Sequence, residues 1–190
     1  KNDWGMAVYT VNAMYDSLAN SITFPAGILQ APIYDVKASY EENLGGIGYI
    51  IAHEITHAFD NNGAKFDENG NATDWWTEED YSAFSKLCKD VEAFYDGEEA
   101  APGIAVSCIT EIVSHLDNPN YEALYKSIAR TWASSSNREY MQYVSQTNVH
   151  CLDKLRTNRT IVNDQEFYDT FGIKENDGMY VAPEDRVHIW

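Results

Sequence analysis

The stretch GGIGYIIAHEITHAFDNNG, residues 45–63, constrains this chain more than any other. Ile47, Tyr49, Ile50, Ile51, Ile55 and Phe59 recur at helical spacing, and the run carries almost no polar residue except His53, Glu54 and His57. The spacing predicts a helix from about Leu44 to Phe59, stopped by Asn61-Asn62-Gly63. A helix advances 3.6 residues per turn, so His53 and His57 share one face about a turn apart. Two imidazoles so placed can hold one tetrahedral Zn²⁺. Glu54 then lies beside the metal, where it can take a proton from metal-activated water and pass it to a leaving amine. Asp60, three residues past His57, is placed to accept a hydrogen bond from a ligand imidazole. The same three residues could sit on an ordinary amphipathic helix. Burying two imidazoles and a carboxylate among isoleucines is costly without a metal or water, however, and this favours a zinc hydrolase.

The rest of the chain sets the frame. Its 190 residues suffice for one domain with a sizeable core, and a 44% hydrophobic, 13% aromatic composition argues for a packed globule. A formal net charge of −17 argues against nucleic acid or an anionic membrane surface as partner, and no apolar run is long enough to span a bilayer. Cys88, Cys108 and Cys151 are odd in number and form no CxxC pair. They read as buried free thiols and lean weakly toward a cytoplasmic, reducing compartment, with an exported protein as the alternative. Residues 7–18 alternate β-branched and aromatic side chains and read as a strand. Asn69-Gly70 marks a hairpin turn. Helices are expected from Thr77, over 106–116, over 119–134, at Arg138–Val144 and at Glu166–Phe171, with 96–103 as a loop. The fold class is α+β, mostly helical with a small sheet, in one unit spanning 1–190.

Several long stretches, namely VNAMYDSLANSITFPAGILQAPIYD, GGIGYIIAHEITHAFDNNGAKFDENGNATDWW, VHCLDKLRTNR and FYDTFGIKENDGMYVAPEDRVHIW, resemble in order the C-terminal catalytic part of the neprilysin-type (M13) zinc endopeptidases, bacterial members above all. The resemblance implies a thermolysin-like zincin fold, one Zn²⁺ held by His53 and His57, and Glu54 as catalytic base. It implies that Asn12 and Ala13 pair with substrate backbone, that His150 stabilises the oxyanion, and that Arg156 holds a substrate carbonyl or carboxylate. Oligopeptides cut before bulky apolar residues would be the substrates. It also implies a helical N-terminal domain outside these residues, so that the chain alone would have weak or no activity.

Three departures stand out. Ala58 replaces a usual glycine, and Cys151-Leu152-Asp153 replaces a usual Ser-Pro-Gly. The third departure concerns the third zinc ligand, which the family takes from a Glu-Asn-x-x-Asp segment after the APG loop. This chain passes from Gly103 straight into IAVSCITEIVSHL. Glu111 imitates the spacing toward His115 but falls turns downstream of the ligand position, and Glu98 and Glu99 fit less well. Either a segment of roughly a dozen residues is absent between Ile104 and Val106, or the chain has a true deletion that cripples the site. The corresponding expectations are a poorly ligated zinc and a backbone interrupted at 104–106. The competing function is a catalytically inactive module that binds peptides on the same fold.

Overall fold

The structure, a computed structural model, describes residues 5–60, 62–94, 101–147 and 152–187. Its strands are β1 (Met14–Asp16) and β2 (Ser21–Thr23), and its helices are α1 (Tyr40–Asn43), α2 (Tyr49–Thr56), α3 (Glu78–Phe94), α4 (Ala101–Ser114), α5 (Tyr121–Thr131), α6 (Arg138–Thr147), α7 (Asp153–Ile161) and α8 (Gln165–Phe171). The class is α+β and mostly helical, as expected. The long strand expected over 7–18 shrinks to β1, which pairs antiparallel with β2, Met14 opposite Thr23 and Asp16 opposite Ser21. A strand persists only where its backbone groups find a partner, and the alternating residues before Met14 have none of this kind; Val8, Tyr9 and Val11 stay exposed.

The helical run around the HEITH motif is longer than the apolar spacing suggests. It begins at α1, where Ser39 accepts from the Glu42 N–H and Glu42 accepts from the Ser39 N–H, a reciprocal capping box. A π-helical turn (Leu44–Gly48) then leads into α2, and a 3₁₀ turn (His57–Phe59) ends the run. The wide turn has a packing reason. A Cβ on Gly45 would lie 2.4 Å from the Leu124 carbonyl oxygen, so glycine there lets α5 close on the run. Ser127 of α5 donates to the Glu42 carbonyl across the same contact.

The core lies between α2, α4, α5, α7 and α8. Tyr49, Ile50, Ala105, Val106, Ile109, Val113, Leu124, Tyr125, Ile128, Ile161 and Phe167 are buried in it. The expected interruption at 104–106 is not found: α4 is continuous and starts five residues before the expected helix, taking in Ala101-Pro102-Gly103 from the expected loop. Pro102 suits a first helical turn, where its missing N–H has no carbonyl to bind. Ala105, Val106, Ile109 and Val113 keep one apolar stripe in phase across the join, so the helix propagates through it. Asp164 anchors the far side of this layer, accepting from the Thr110 hydroxyl at 2.6 Å and the Tyr125 hydroxyl at 2.8 Å. Cys108 is exposed and Cys88 half-buried, against the expectation of buried thiols, while Cys151 lies outside the described residues. Among the described residues, no helix is long and apolar enough to cross a membrane.

Candidate metal centre and substrate cleft

A cavity of about 1230 Å³ opens beside α2, walled by β1, the end of α5, α6 and α7. His53, Glu54 and His57 all line it. His53 and Glu54 are each only 6% exposed, and His57 is half-buried beside them. The two imidazole Nε2 atoms lie 3.1 Å apart. Two nitrogens bound to one tetrahedral zinc at ordinary bond lengths sit about 3.3 Å apart, so the pair is set to share a cation. Asp60 Oδ2 accepts from His57 Nδ1 at 2.8 Å, which leaves the lone pair of that ring on Nε2. Asp60 is itself held by the N–H groups of Asn62 and Gly63, each 2.8 Å from Oδ1. Burial pushes its carboxyl up, but the His57 hydrogen bond and the Gly63 and Asn62 N–H groups bring it below the usual range. This turn requires Gly63, since a Cβ there would fall 1.9 Å from the His57 carbonyl oxygen.

Glu54 sits apart from the Nε2 pair in function though not in space. Ligand atoms of His53, Glu54 and His57 all lie within 4.8 Å of one another. Burial pushes the Glu54 carboxyl above its ordinary range, an effect opposed by His57, the Tyr15 backbone N–H and Arg156. The result is a carboxylate that can bind and release a proton closer to neutrality than one in water. Asn12 and Ala13 line the cavity where the chain enters β1. Arg156, on α7, is 7% exposed and lines the same cavity. The structure brings six expected residues, Asn12, Ala13, His53, Glu54, His57 and Arg156, into one cavity with Asp60, whereas His150, Glu98 and Glu99 lie outside the described residues.

The third ligand is a different matter. The trio is the one cluster of three or more possible ligands found among the described residues. Glu111 points away on α4, its side chain 73% exposed and paired with His115 Nε2 at 3.0 Å. The residues of α4 buried toward the core are Ile104, Ala105, Val106, Ile109, Thr110 and Val113, and none is acidic. The histidine pair therefore fits zinc, while the described residues supply one protein ligand fewer than a hydrolytic zinc takes when Glu54 is kept as base. Trp132 is a cavity residue that no motif picks out. Its signal in the sequence is weak, a lone tryptophan at a helix end, and only packing brings it to the site.

Comparison with known proteins agrees with this geometry. The chain is 40% identical over 205 residues to the neutral endopeptidase of Lactococcus lactis subsp. lactis, covering 100% of this chain and 33% of that protein. It is 30% identical over 221 residues to human neprilysin, covering 100% of this chain and 29% of neprilysin. Among solved structures it superposes on PepO from Lactobacillus rhamnosis with a TM-score of 0.90 at 38% identity (97% of this chain, 32% of that one). It superposes on the Mycobacterium tuberculosis zinc metalloprotease Zmp1 in complex with inhibitor with a TM-score of 0.88 at 29% identity (100% and 34%). The chain thus spans about a third of the length of the curated relatives it matches. The Lactococcus alignment runs over 205 positions against 190 residues here, so about 15 positions of that relative lack a counterpart. The pattern of Peptidase family M13 matches in two pieces, residues 12–115 and 107–187, which overlap over 107–115, just past the 104–106 point where the third-ligand segment was expected. With both pieces together covering most of its length, and a histidine pair and carboxylate set in one cleft, the chain belongs to peptidase family M13.

Proposed function

We propose that this chain is the catalytic part, residues 1–190, of a zinc-dependent endopeptidase that hydrolyses oligopeptides. The observation that carries the reading is the 3.1 Å pairing of His53 and His57 Nε2 with Glu54 buried in the same cavity. His53 and His57 would hold the zinc, which when bound polarises a carbonyl and lowers the pKa of water. Glu54 is the base. Its burial raises its proton affinity toward the range a general base needs, and its neighbours keep it ionised enough to accept. Asp60 holds His57 in the tautomer that leaves Nε2 free of a proton. Arg156 offers a planar fork to a substrate carbonyl or carboxylate. Asn12 and Ala13 lie along the cavity edge where an extended peptide would run, and His150 is assigned to the developing oxyanion. The apolar wall formed by Ile28, Ile33, Ile50, Met141 and Val144 suits a bulky apolar side chain after the cut bond. The remainder of a longer polypeptide would close the cleft to large substrates. Relatives named as endopeptidases do not favour an inactive peptide-binding module.

The test is Glu54→Gln in the intact polypeptide. Zinc content, read by atomic absorption, should be retained, while kcat falls by about 10²- to 10⁴-fold, as expected for loss of a general base. A variant that hydrolyses peptides at the normal rate would remove Glu54 from the mechanism.

A further inference from the structure

Arg156 is nearly buried, and the guanidinium carbon lies 4.6 Å from the centroid of the Trp132 indole. The indole has a second aromatic contact: Tyr49 meets it edge-on, with centroids 5.6 Å apart at 67°. Tyr49 is fully buried one turn before His53 on α2. An aromatic bridge therefore runs from the helix that carries the histidines to the arginine on α7. Trp132 Nε1 is buried and has no hydrogen-bond partner among the described residues. A buried donor without an acceptor costs stability, so the indole here is not explained by a hydrogen bond it makes. What it supplies is a ring face, and a ring face attracts a guanidinium.

We propose that Trp132 is a positioning residue that holds Arg156 for a substrate carbonyl or carboxylate. The proposal rests on the peptidase reading and deepens its account of Arg156. A guanidinium has five donors in one plane, and a ring beneath that plane restrains its tilt without occupying a donor. Pre-arrangement of this kind lowers the ordering cost when a bidentate acceptor arrives, so it is felt in binding more than in the bond-breaking step. Phenylalanine would keep a ring face while removing the orphan donor, whereas leucine would fill space with no face to offer.

The experiment uses Trp132→Phe, Trp132→Leu and Arg156→Met, and Trp132→Leu in the Arg156→Met background, all in the intact polypeptide. KM and kcat are measured on an N-acylated peptide, and the Kd of an acetylated dipeptide with a free carboxylate is measured by calorimetry. Trp132→Leu should raise KM and the dipeptide Kd together by about ten-fold with little change in kcat, a coupling that corresponds to a well-desolvated cation–π contact. Trp132→Phe should stay near wild type, and Trp132→Leu should add almost nothing once Arg156 is methionine. An equal effect of Trp132→Leu in both backgrounds, or no rescue by phenylalanine, would show that the ring merely fills the cleft and would overturn the proposal. Absence of peptide hydrolysis by the zinc-loaded wild type would count against the peptidase reading alone, because the dipeptide Kd still reports the coupling. If Trp132→Leu does not fold, the NMR signal of the Arg156 Nε–H in the wild type decides. A ring-current shift upfield supports the contact, and an unshifted signal overturns it.

Discussion

Helices α2 and α4 pack against one another in the centre of the molecule, and both are rich in isoleucine, alanine and valine or tyrosine. Toward the cleft, α2 buries the His53 imidazole and the Glu54 carboxylate, and the turn that follows adds the half-buried His57. Its neighbour buries an apolar stripe and one threonine, and sends its single acid, Glu111, out to solvent. One helix therefore spends part of its buried surface on groups that cost free energy to desolvate, and the other does not. An apolar stripe explains itself through packing, whereas buried polar groups need a reason beyond packing. Among the described residues the candidate metal ligands come from one side, from α2 and the turn that follows it, with α4 packed behind as support.

The contrast gives its largest effect when the two helices are cut at comparable positions. His53→Ala should lower zinc affinity by more than about 100-fold, beyond the usual range for residues that only support a ligand, with a modest change in unfolding free energy. Ile109→Ala should do the reverse. It removes a fully buried side chain and should cost about 2–5 kcal/mol in a denaturant titration, with zinc affinity unchanged. Loss of zinc on Ile109→Ala, with the fold intact, would mean that α4 shapes the metal site directly and that the division of roles is wrong.

The same contrast explains what could be read in the sequence. His53, Glu54, His57 and Asp60 lie within eight positions, so helical spacing brings the first three together and the turn that follows brings in Asp60. The helix start predicted at about Leu44 falls late, because apolar spacing does not register the Ser39–Glu42 capping box that opens the run. Arg156 could not be placed by any local rule: α7 packs on α4 and α5 through contacts distant in sequence, and only the family resemblance assigned it to the cleft. Residues 7–13 carry a strand pattern without a strand to pair with. The interruption expected in α4 failed for a physical reason, since a missing segment need not break a helix whose apolar stripe stays in register on either side.

Asp60 tests the comparison at middle strength. Asp60→Asn keeps the size and, with Oδ1 still on the two backbone N–H groups, sets a donor NH2 in place of the acceptor for His57 Nδ1. Zinc affinity, followed by competition with a chromophoric chelator, should fall about 10- to 100-fold. An unchanged affinity would mean that the 2.8 Å contact orients nothing the metal needs.

The smallest expected effect bears on the missing ligand. Glu111 is the acid of α4 whose spacing from His115 imitates the family's ligand helix. In the fold its carboxylate faces solvent and meets only His115, itself 75% exposed in its side chain. Exposed pairs of this kind contribute little to stability, and a side chain on the outer face of α4 cannot reach Nε2 atoms on the other side of the helix without unwinding it. Glu111→Gln should therefore leave both zinc affinity and melting temperature unchanged within error. A marked loss of zinc in this variant would show that α4 rotates or shifts its register in the metal-loaded protein to bring Glu111 inward. The contrast between a chemical α2 and a merely supporting α4 would then fail.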